Sequence, residues 1–319
     1  MRAPGFWQTD GILPRLLAPF AFLYAATTAR RMAHPGWRAP VPVICIGNAT
    51  AGGTGKTTVA LDIGARLIAR RLTPAFLTRG YGGDASQTRR IDPTRDTARA
   101  AGDEALLLAA VAPTYAGANR AAIARMAVEW GAQSLIMDDG LQNPTLAKDL
   151  AFLVIDGPTG FGNGRVIPAG PLREAAAAAI GRCQAAVIIG PDAHNIAATL
   201  PIPTLHAHLR SPADIAGQRL YAFAGIGRPA KFFDSLTAAG ADLAGTKAFP
   251  DHHRFAPREF DAVLRESRRF GADPATTQKD AVRLTPSQRA QVRVIGVDLV
   301  WDDPAALETL LDSVLKRAR

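Results

Sequence analysis

The sequence predicts an α/β fold: a mainly parallel sheet sandwiched by helices, with an N-terminal amphipathic helix before it and a second, smaller α/β domain after it. Three observations carry this. Short apolar runs alternate with helix-length segments from residue 41 onward, as in parallel strands joined by crossover helices. A glycine-rich loop lies between the first apolar run and the first helical segment. A Pro-rich stretch at 201–212 sets off a second series of alternating segments.

Residues 1–36 form an arm. Leu13, Leu16, Leu17, Phe20 and Tyr24 follow helical spacing, with Phe6 and Trp7 before them and Arg30 and Arg31 after. The pattern fits a helix lying on an anionic membrane surface, rings and arginines at the headgroups. It fits equally a helix docked on its own domain. The uncharged stretch 16–29 falls short of the roughly 20 residues that span a bilayer, and Pro14 and Pro19 interrupt it. No signal-peptide cleavage pattern is visible.

Residues 37–212 form the core domain. Strands are expected at 41–46, 75–78, 134–137, 150–155 and 185–189, and helices at 56–70, 102–112 and 117–130. In the domain at 213–319, strands are expected at 220–224, 275–277 and 292–297. Helices are expected there at 229–239, 257–270 and 304–316, the last placed to pack back on the core.

Composition narrows the chemistry. With 48% hydrophobic and 20% charged residues, the chain is not disordered. Thirty-seven Lys and Arg against 28 Asp and Glu give +9, which calls for an anionic partner: nucleotide, nucleic acid or membrane. The first forty residues hold five arginines against Asp10, so four of those nine charges sit there. Cys45 and Cys183 lie in apolar runs, which excludes a disulfide framework and fits a reducing compartment.

The loop carries the chemistry. Gly52-Gly53-Thr54-Gly55-Lys56-Thr57-Thr58 follows Asn48, with a strand entering and a helix leaving. Glycines let the chain turn so that backbone N–H groups converge on one anion, and the helix N-terminus adds partial positive charge. Lys56 reaches β- and γ-phosphates and Thr57 ligates Mg²⁺ in such loops. Thr50 stands where the strict motif has Gly. These features make the fold P-loop NTPase-like, with Asn48, Gly52, Gly53, Thr54, Gly55, Lys56, Thr57 and Thr58 around ATP. Asp138 and Asp139 end an apolar run, where a carboxylate holds Mg²⁺ or its waters.

The chain resembles the tetraacyldisaccharide 4′-kinase family, the lipid A 4′-kinases, over nearly its whole length. The resemblance rests on GGTGKT, Arg79-Gly80-Tyr81-Gly82, Gly102-Asp103-Glu104, Asp138-Asp139-Gly140-Leu141-Gln142 and the PAGPLRE segment at 168–174. It continues through Ala224-Gly225-Ile226-Gly227, Asp251-His252 and the TTQKDAVRL segment at 276–284. Thr58, Asn143 and Gln278 stand where that family commonly has Pro, His and Glu.

The resemblance implies ATP-dependent transfer of a γ-phosphoryl to the 4′-hydroxyl of an acylated disaccharide 1-phosphate, giving lipid IVA at the cytoplasmic face of a bacterial inner membrane. It implies a base built from Asp103 and His252, a transition-state role for Arg173, and Mg²⁺ held by Thr57 and Asp138 with support from Asp139 and Glu104. No nucleic acid and no obligate protein partner are expected. A partitioning or assembly ATPase is the rival reading, but that class carries Lys before the Gly pair, where this chain has Ala51.

Overall fold

The computed structural model describes residues 4–84 and 88–316. Arg2, counted above with the arm, lies outside them. The first strands in chain order are β1 (Val43–Gly47), β2 (Pro74–Thr78), β3 (Arg89–Arg90), β4 (Thr114–Ala116), β5 (Ser134–Asp138), β6 (Leu150–Asp156) and β7 (Ala185–Ile189). Then come β8 (Thr204–Arg210), β9 (Arg219–Ala224), β10 (Asp242–Ala248), β11 (Asp273–Thr277), β12 (Arg293–Ile295) and β13 (Asp298–Trp301).

Nine strands form one sheet in the order β13-β8-β7-β6-β1-β5-β2-β4-β3. Its interior pairings are parallel, and only the edge strands β13 and β3 run antiparallel. The strands β1, β2, β5, β6 and β7 are buried throughout, as a sheet covered on both faces requires. The central β1 pairs with β5 on one side and β6 on the other. That is the switch point, where a crevice opens at the strands' carboxyl ends.

The helices α1 (Ile12–Met32), α2 (Lys56–Ala69), α3 (Ala98–Ala101), α4 (Asp103–Ala109), α5 (Arg120–Glu129) and α6 (Ala176–Ile180) belong to the first two-thirds of the chain. Ile123, Ala124 and Ala127 of α5 cover one sheet face, and Val59, Ile63 and Leu67 of α2 cover the other. A second, four-stranded parallel sheet has the order β10-β9-β11-β12. The helices α7 (Pro229–Ala238) and α8 (Pro257–Arg269) pack on its two faces through Phe232 and Leu236, and through Phe260 and Val263. The short α9 (Gln278–Ala281) and α10 (Pro286–Arg289) follow β11, and α11 (Pro304–Leu315) closes the chain.

The structure corrects three expectations. The Pro-rich stretch is no mere separator, because Thr204–Arg210 is strand β8 of the large sheet. The segment after residue 213 does not stay with the small sheet. Strand β13 pairs with β8; the last helix, read above as packing back on the core, sets Leu307, Leu311 and Val314 beside Trp301 in the large sheet's core. The arm's helix is also longer than the apolar stretch suggested. It runs 21 residues straight through Pro19 and is long and apolar enough, by length and composition, to cross a membrane.

Helix α1 shows two faces. Ala18, Ala21 and Ala25 lie toward Val166 and Ala169. Ile12, Leu13, Leu16, Phe20, Leu23 and Tyr24 point outward, exposed. Ala21 is buried on the first side, where Phe22 is exposed, and the large side chains of the other face are exposed as well.

Because Leu311 is wholly buried beneath the large sheet, Leu311→Ala should cost about 2–5 kcal/mol. A denaturant titration checks this; a loss below about 1 kcal/mol would mean that α11 is not part of the main core.

Candidate active site

Strand β1 ends at Gly47 and delivers the loop. At Gly55 the backbone turns left-handed, φ 86°, as the N-cap of α2, a conformation that glycine adopts without strain. A side chain there would also meet Ile189 Cδ1 at 2.7 Å. Buried Asn48 braces the loop from inside, its Nδ2 donating to Thr50 O at 2.7 Å. Gln142 Nε2 donates to Asn48 O at 2.9 Å and to Glu174 Oε1 at 2.8 Å. The PAGPLRE segment lies along the loop as a strap: Ala51 N donates to Pro171 O and Arg173 N to Ala49 O, both at 2.7 Å.

Two neighbouring carboxylates meet different surroundings. Thr57 Oγ1 donates to Asp138 Oδ2 at 3.1 Å. Asp138 is buried, and its Oδ1 has no hydrogen-bond partner among the described residues. Burial pushes its carboxyl up to about 7, with the charges of Glu104 and Asp139 adding and Lys56 and Thr57 opposing. Asp139 instead receives Arg173 Nη1 at 2.8 and 3.0 Å and lies 3.6 Å from Lys56 Nζ. Burial acts to raise its pKa, but Lys56 and Arg173 outweigh it and hold the carboxyl below the usual range.

Helix α4 opens on Asp103 after Gly102 at φ 86°. Asp103 Oδ2 lies 2.7 Å from His252 Nδ1. It also accepts from Arg283, Nε at 2.9 Å and Nη2 at 2.6 Å. Burial works against the Asp103 charge, yet His252 and Arg283 bring its pKa down to about 2. Arg283 donates onward from Nη1 to Gly225 O at 2.7 Å and Asp280 Oδ1 at 2.9 Å. Glu104 pairs with Lys279 Nζ at 3.2 Å.

A further bridge touches the loop itself. Arg228, at the N-cap of α7, donates from Nη2 to Gly53 O at 2.9 Å and from Nη1 to Asp156 Oδ2 at 3.0 Å. Lys231 Nζ holds the other oxygen of buried Asp156 at 2.8 Å.

The structure therefore brings Asp103 onto His252, Thr57 onto Asp138, and Lys56 with Arg173 onto Asp139. It does not gather Thr57, Asp138, Asp139 and Glu104 into one metal-ligating set: Asp139 and Glu104 are occupied by cations, and among the described residues no three His, Cys, Asp or Glu form such a group. The reading of the sequence gave no role to Arg283, Arg228, Asp156 or Glu174. Arg283 and Glu174 lie inside quoted motifs, so the signal was present. Nothing local marks Arg228 or Asp156.

A loop that wraps phosphates and an acid–imidazole pair brought by a second sheet suit a reaction between a nucleotide and an acceptor. Fold and site thus define a P-loop phosphotransferase. The sequence profile of the tetraacyldisaccharide-1-P 4′-kinase family matches residues 13–316, and this chain belongs to that family. It is 55% identical to the tetraacyldisaccharide 4′-kinase of Gluconacetobacter diazotrophicus, covering 100% of this chain and 99% of that one. Identity to the kinase of the same name from Rhodospirillum rubrum is 48%, over 99% and 98% of the two chains. The crystal structure of LpxK from Aquifex aeolicus in complex with ATP shares the fold, with TM-score 0.77 and 24% identity over 95% of this chain and 100% of that one.

Because Arg228 restrains a loop carbonyl, Arg228→Ala should raise the KM for ATP about tenfold and lower kcat less, since its charged hydrogen bonds are worth about 1.5–3 kcal/mol each. Steady-state kinetics at varied ATP check it; an unchanged KM would make the contact a mere docking bond.

Proposed function

We propose that this protein is an ATP-dependent kinase that transfers the γ-phosphoryl group to the 4′-hydroxyl of tetraacyldisaccharide 1-phosphate, giving lipid IVA in lipid A biosynthesis. The Asp103–His252 contact at 2.7 Å carries the reading, because a nucleotide switch needs no such pair.

Phosphoryl transfer asks for positioning and charge neutralisation. The loop amides and Lys56 bind the β- and γ-phosphates. Arg173, held at Asp139, stands by to offset charge on the transferring group. Asp138 and Thr57 fit Mg²⁺: a buried carboxylate oxygen without a partner, beside a hydroxyl, is a hard-oxygen donor set. Bound there with ATP, the ion would neutralise phosphate charge.

The acceptor hydroxyl must lose a proton. With a pKa of about 2, Asp103 is too weak a base to take it. It accepts the Nδ1 proton of His252, which leaves Nε2 as the nitrogen that receives the hydroxyl proton. Asp103 orients the ring through that contact. The large apolar side chains of α1, flanked by Arg30 and Arg31, would seat the enzyme on the cytoplasmic face of the inner membrane, where ATP and acylated acceptor meet.

Incubation with Mg²⁺-ATP and a tetraacylated disaccharide 1-phosphate, followed by mass analysis, tests the function: one phosphate should be added to the distal sugar. ATP hydrolysis without acceptor phosphorylation would favour a switch ATPase. Lys56→Ala should cut transfer by at least about a hundredfold, since a charge on the phosphates is lost; near-wild-type turnover by the folded variant would remove Lys56 from the mechanism.

Asp103→Ala and His252→Ala should each lower kcat far more than they raise the KM for ATP. The double variant should be little worse than the poorer single one, because residues acting as a unit are non-additive. A double-mutant cycle on kcat giving clean additivity would refute the pair. Deleting residues 1–30 should reduce sedimentation with anionic vesicles; equal sedimentation with and without the arm would leave α1 as a docked helix only.

A further inference from the structure

Asp280 has no exposed surface, and the mechanism above gives it no part. Both of its oxygens are met. Oδ1 accepts from Gly225 N at 3.0 Å and from Arg283 Nη1 at 2.9 Å, and Oδ2 accepts from Thr277 Oγ1 at 2.7 Å. Asp280 N donates to the same Thr277 oxygen at 3.0 Å. Thr277 ends β11, so the carboxylate is fixed to the small sheet through its backbone and its side chain alike.

Gly225 follows β9, the neighbouring strand. Its N–H goes to Asp280, and its carbonyl accepts from His252 N at 3.0 Å and from Arg283 Nη1 at 2.7 Å. A side chain at Gly225 would press on His253 Cβ at 3.0 Å and on Asp280 Oδ1 at 3.2 Å. The missing side chain lets the turn that carries His252 close over Asp280.

The backbone of that turn is left-handed at His252, φ 58°. A residue with a side chain keeps such a conformation only where its surroundings over-determine it. Asp251 Oδ1 also accepts from His252 N, at 3.0 Å, but Asp251 is exposed and sits on the same turn. It moves with His252, whereas Gly225 refers the turn to the sheet. The bonds close a ring: Asp280 to Gly225, Gly225 to His252, His252 to Asp103, and Arg283 from Asp103 back to Asp280.

We infer that Asp280 is a positioning residue for phosphoryl transfer, acting through Gly225 and Arg283 to hold the His252 imidazole on Asp103. The inference rests on the function proposed above. Asp280 is enclosed, so it acts through these neighbours alone. The 2.7 Å contact between the imidazole and Asp103 leaves little slack, and a misplacement of about 1 Å can cost about a hundredfold in rate.

The test follows kcat for transfer to the tetraacylated disaccharide 1-phosphate. Asp280→Ala should lower kcat about tenfold or more and leave the KM for ATP unchanged. Asp280→Asn, which keeps an oxygen for the Gly225 N–H, should retain most of the activity. Gly225→Ala removes no polar group but pushes the same turn, and should also lower kcat with the KM for ATP unchanged. In a His252→Ala background neither Asp280→Ala nor Gly225→Ala should lower kcat further, because a residue that acts through His252 has nothing left to act on. The same fold-loss in both backgrounds would make Asp280 a purely structural acid and overturn the inference. A fully active Gly225→Ala would overturn it too, even if Asp280→Ala fails to fold.

Proton NMR without acceptor separates this inference from the kinase reading. Wild-type protein should show a downfield Nδ1 proton of His252, assigned by its absence in His252→Ala. It should persist in Asp280→Asn and be lost or shifted in Gly225→Ala. An unchanged resonance in Gly225→Ala would overturn the positioning role, while absence of transfer by the wild-type protein would sink the kinase reading instead.

Discussion

A buried carboxylate stays charged only where cations or hydrogen-bond donors meet it, and Asp103 gets its partners from a distant part of the chain. Left alone at the first turn of α4, it would take a proton rather than stay charged in so little water. Arg283 and His252 keep it ionised, and both follow the second sheet's strand β9 in the chain. The small sheet's segments are thereby held to the large sheet's at Asp103 Oδ2, alongside the bridges from Arg228 and Lys231 to Asp156 and from Lys279 to Glu104. Arg283 is itself almost wholly buried, and its further bonds to Gly225 O and Asp280 fix the segments on either side of it. Removing that guanidinium would leave Asp103 with His252 alone and Asp280 with only neutral donors from Thr277 and Gly225.

The phosphate loop depends on the same logic at a smaller scale. A glycine-rich loop is entropically costly to hold in one shape, so other segments hold it. The strap at residues 166–174 bonds to its backbone, Gln142 to Asn48 O, and Arg228 to Gly53 O. Glu174 is buried because it orients Gln142 while paired with Arg182. The motif quoted as PAGPLRE is therefore mostly a scaffold for the loop, with Arg173 as its one side chain aimed at the carboxylates.

Much of this was legible in the sequence, for physical reasons. Strands buried on both faces must be apolar without interruption, so β1, β5, β6 and β7 announce themselves, and the glycines announce the loop. Strand β8 was hidden because His206, His208 and Arg210 alternate with Leu205, Ala207 and Leu209 among prolines, the pattern of a strand next to the sheet edge, with one polar face. Strand β4 has three residues, too few for any period, and β10 is largely exposed and carries Gly245 and Lys247. The Asp103–His252 contact joins residues 149 apart in the chain. No spacing rule reaches so far, and only the family resemblance brought the two together. Arg228 had no mark at all: an arginine before a proline-started helix is ordinary until the fold sets it on a loop carbonyl.

The adjacent pair Asp138 and Asp139 shows how one strand end can serve two purposes. Side chains alternate along β5, and the chain turns left-handed at Asp139, φ 53°, so the two carboxylates diverge. Asp139 faces Lys56 and Arg173 and is neutralised by the protein itself. Asp138 faces inward, with one oxygen on Thr57 and the other on nothing among the described residues. A folded core rarely leaves a buried oxygen unmet, because the desolvation costs about 1–3 kcal/mol with no return. Here the cost falls beside the phosphate loop, where a cation arriving with its nucleotide would recover it. The protein thus compensates the carboxylate that aligns Lys56 and Arg173, and leaves one oxygen of the other unmet beside the phosphate loop.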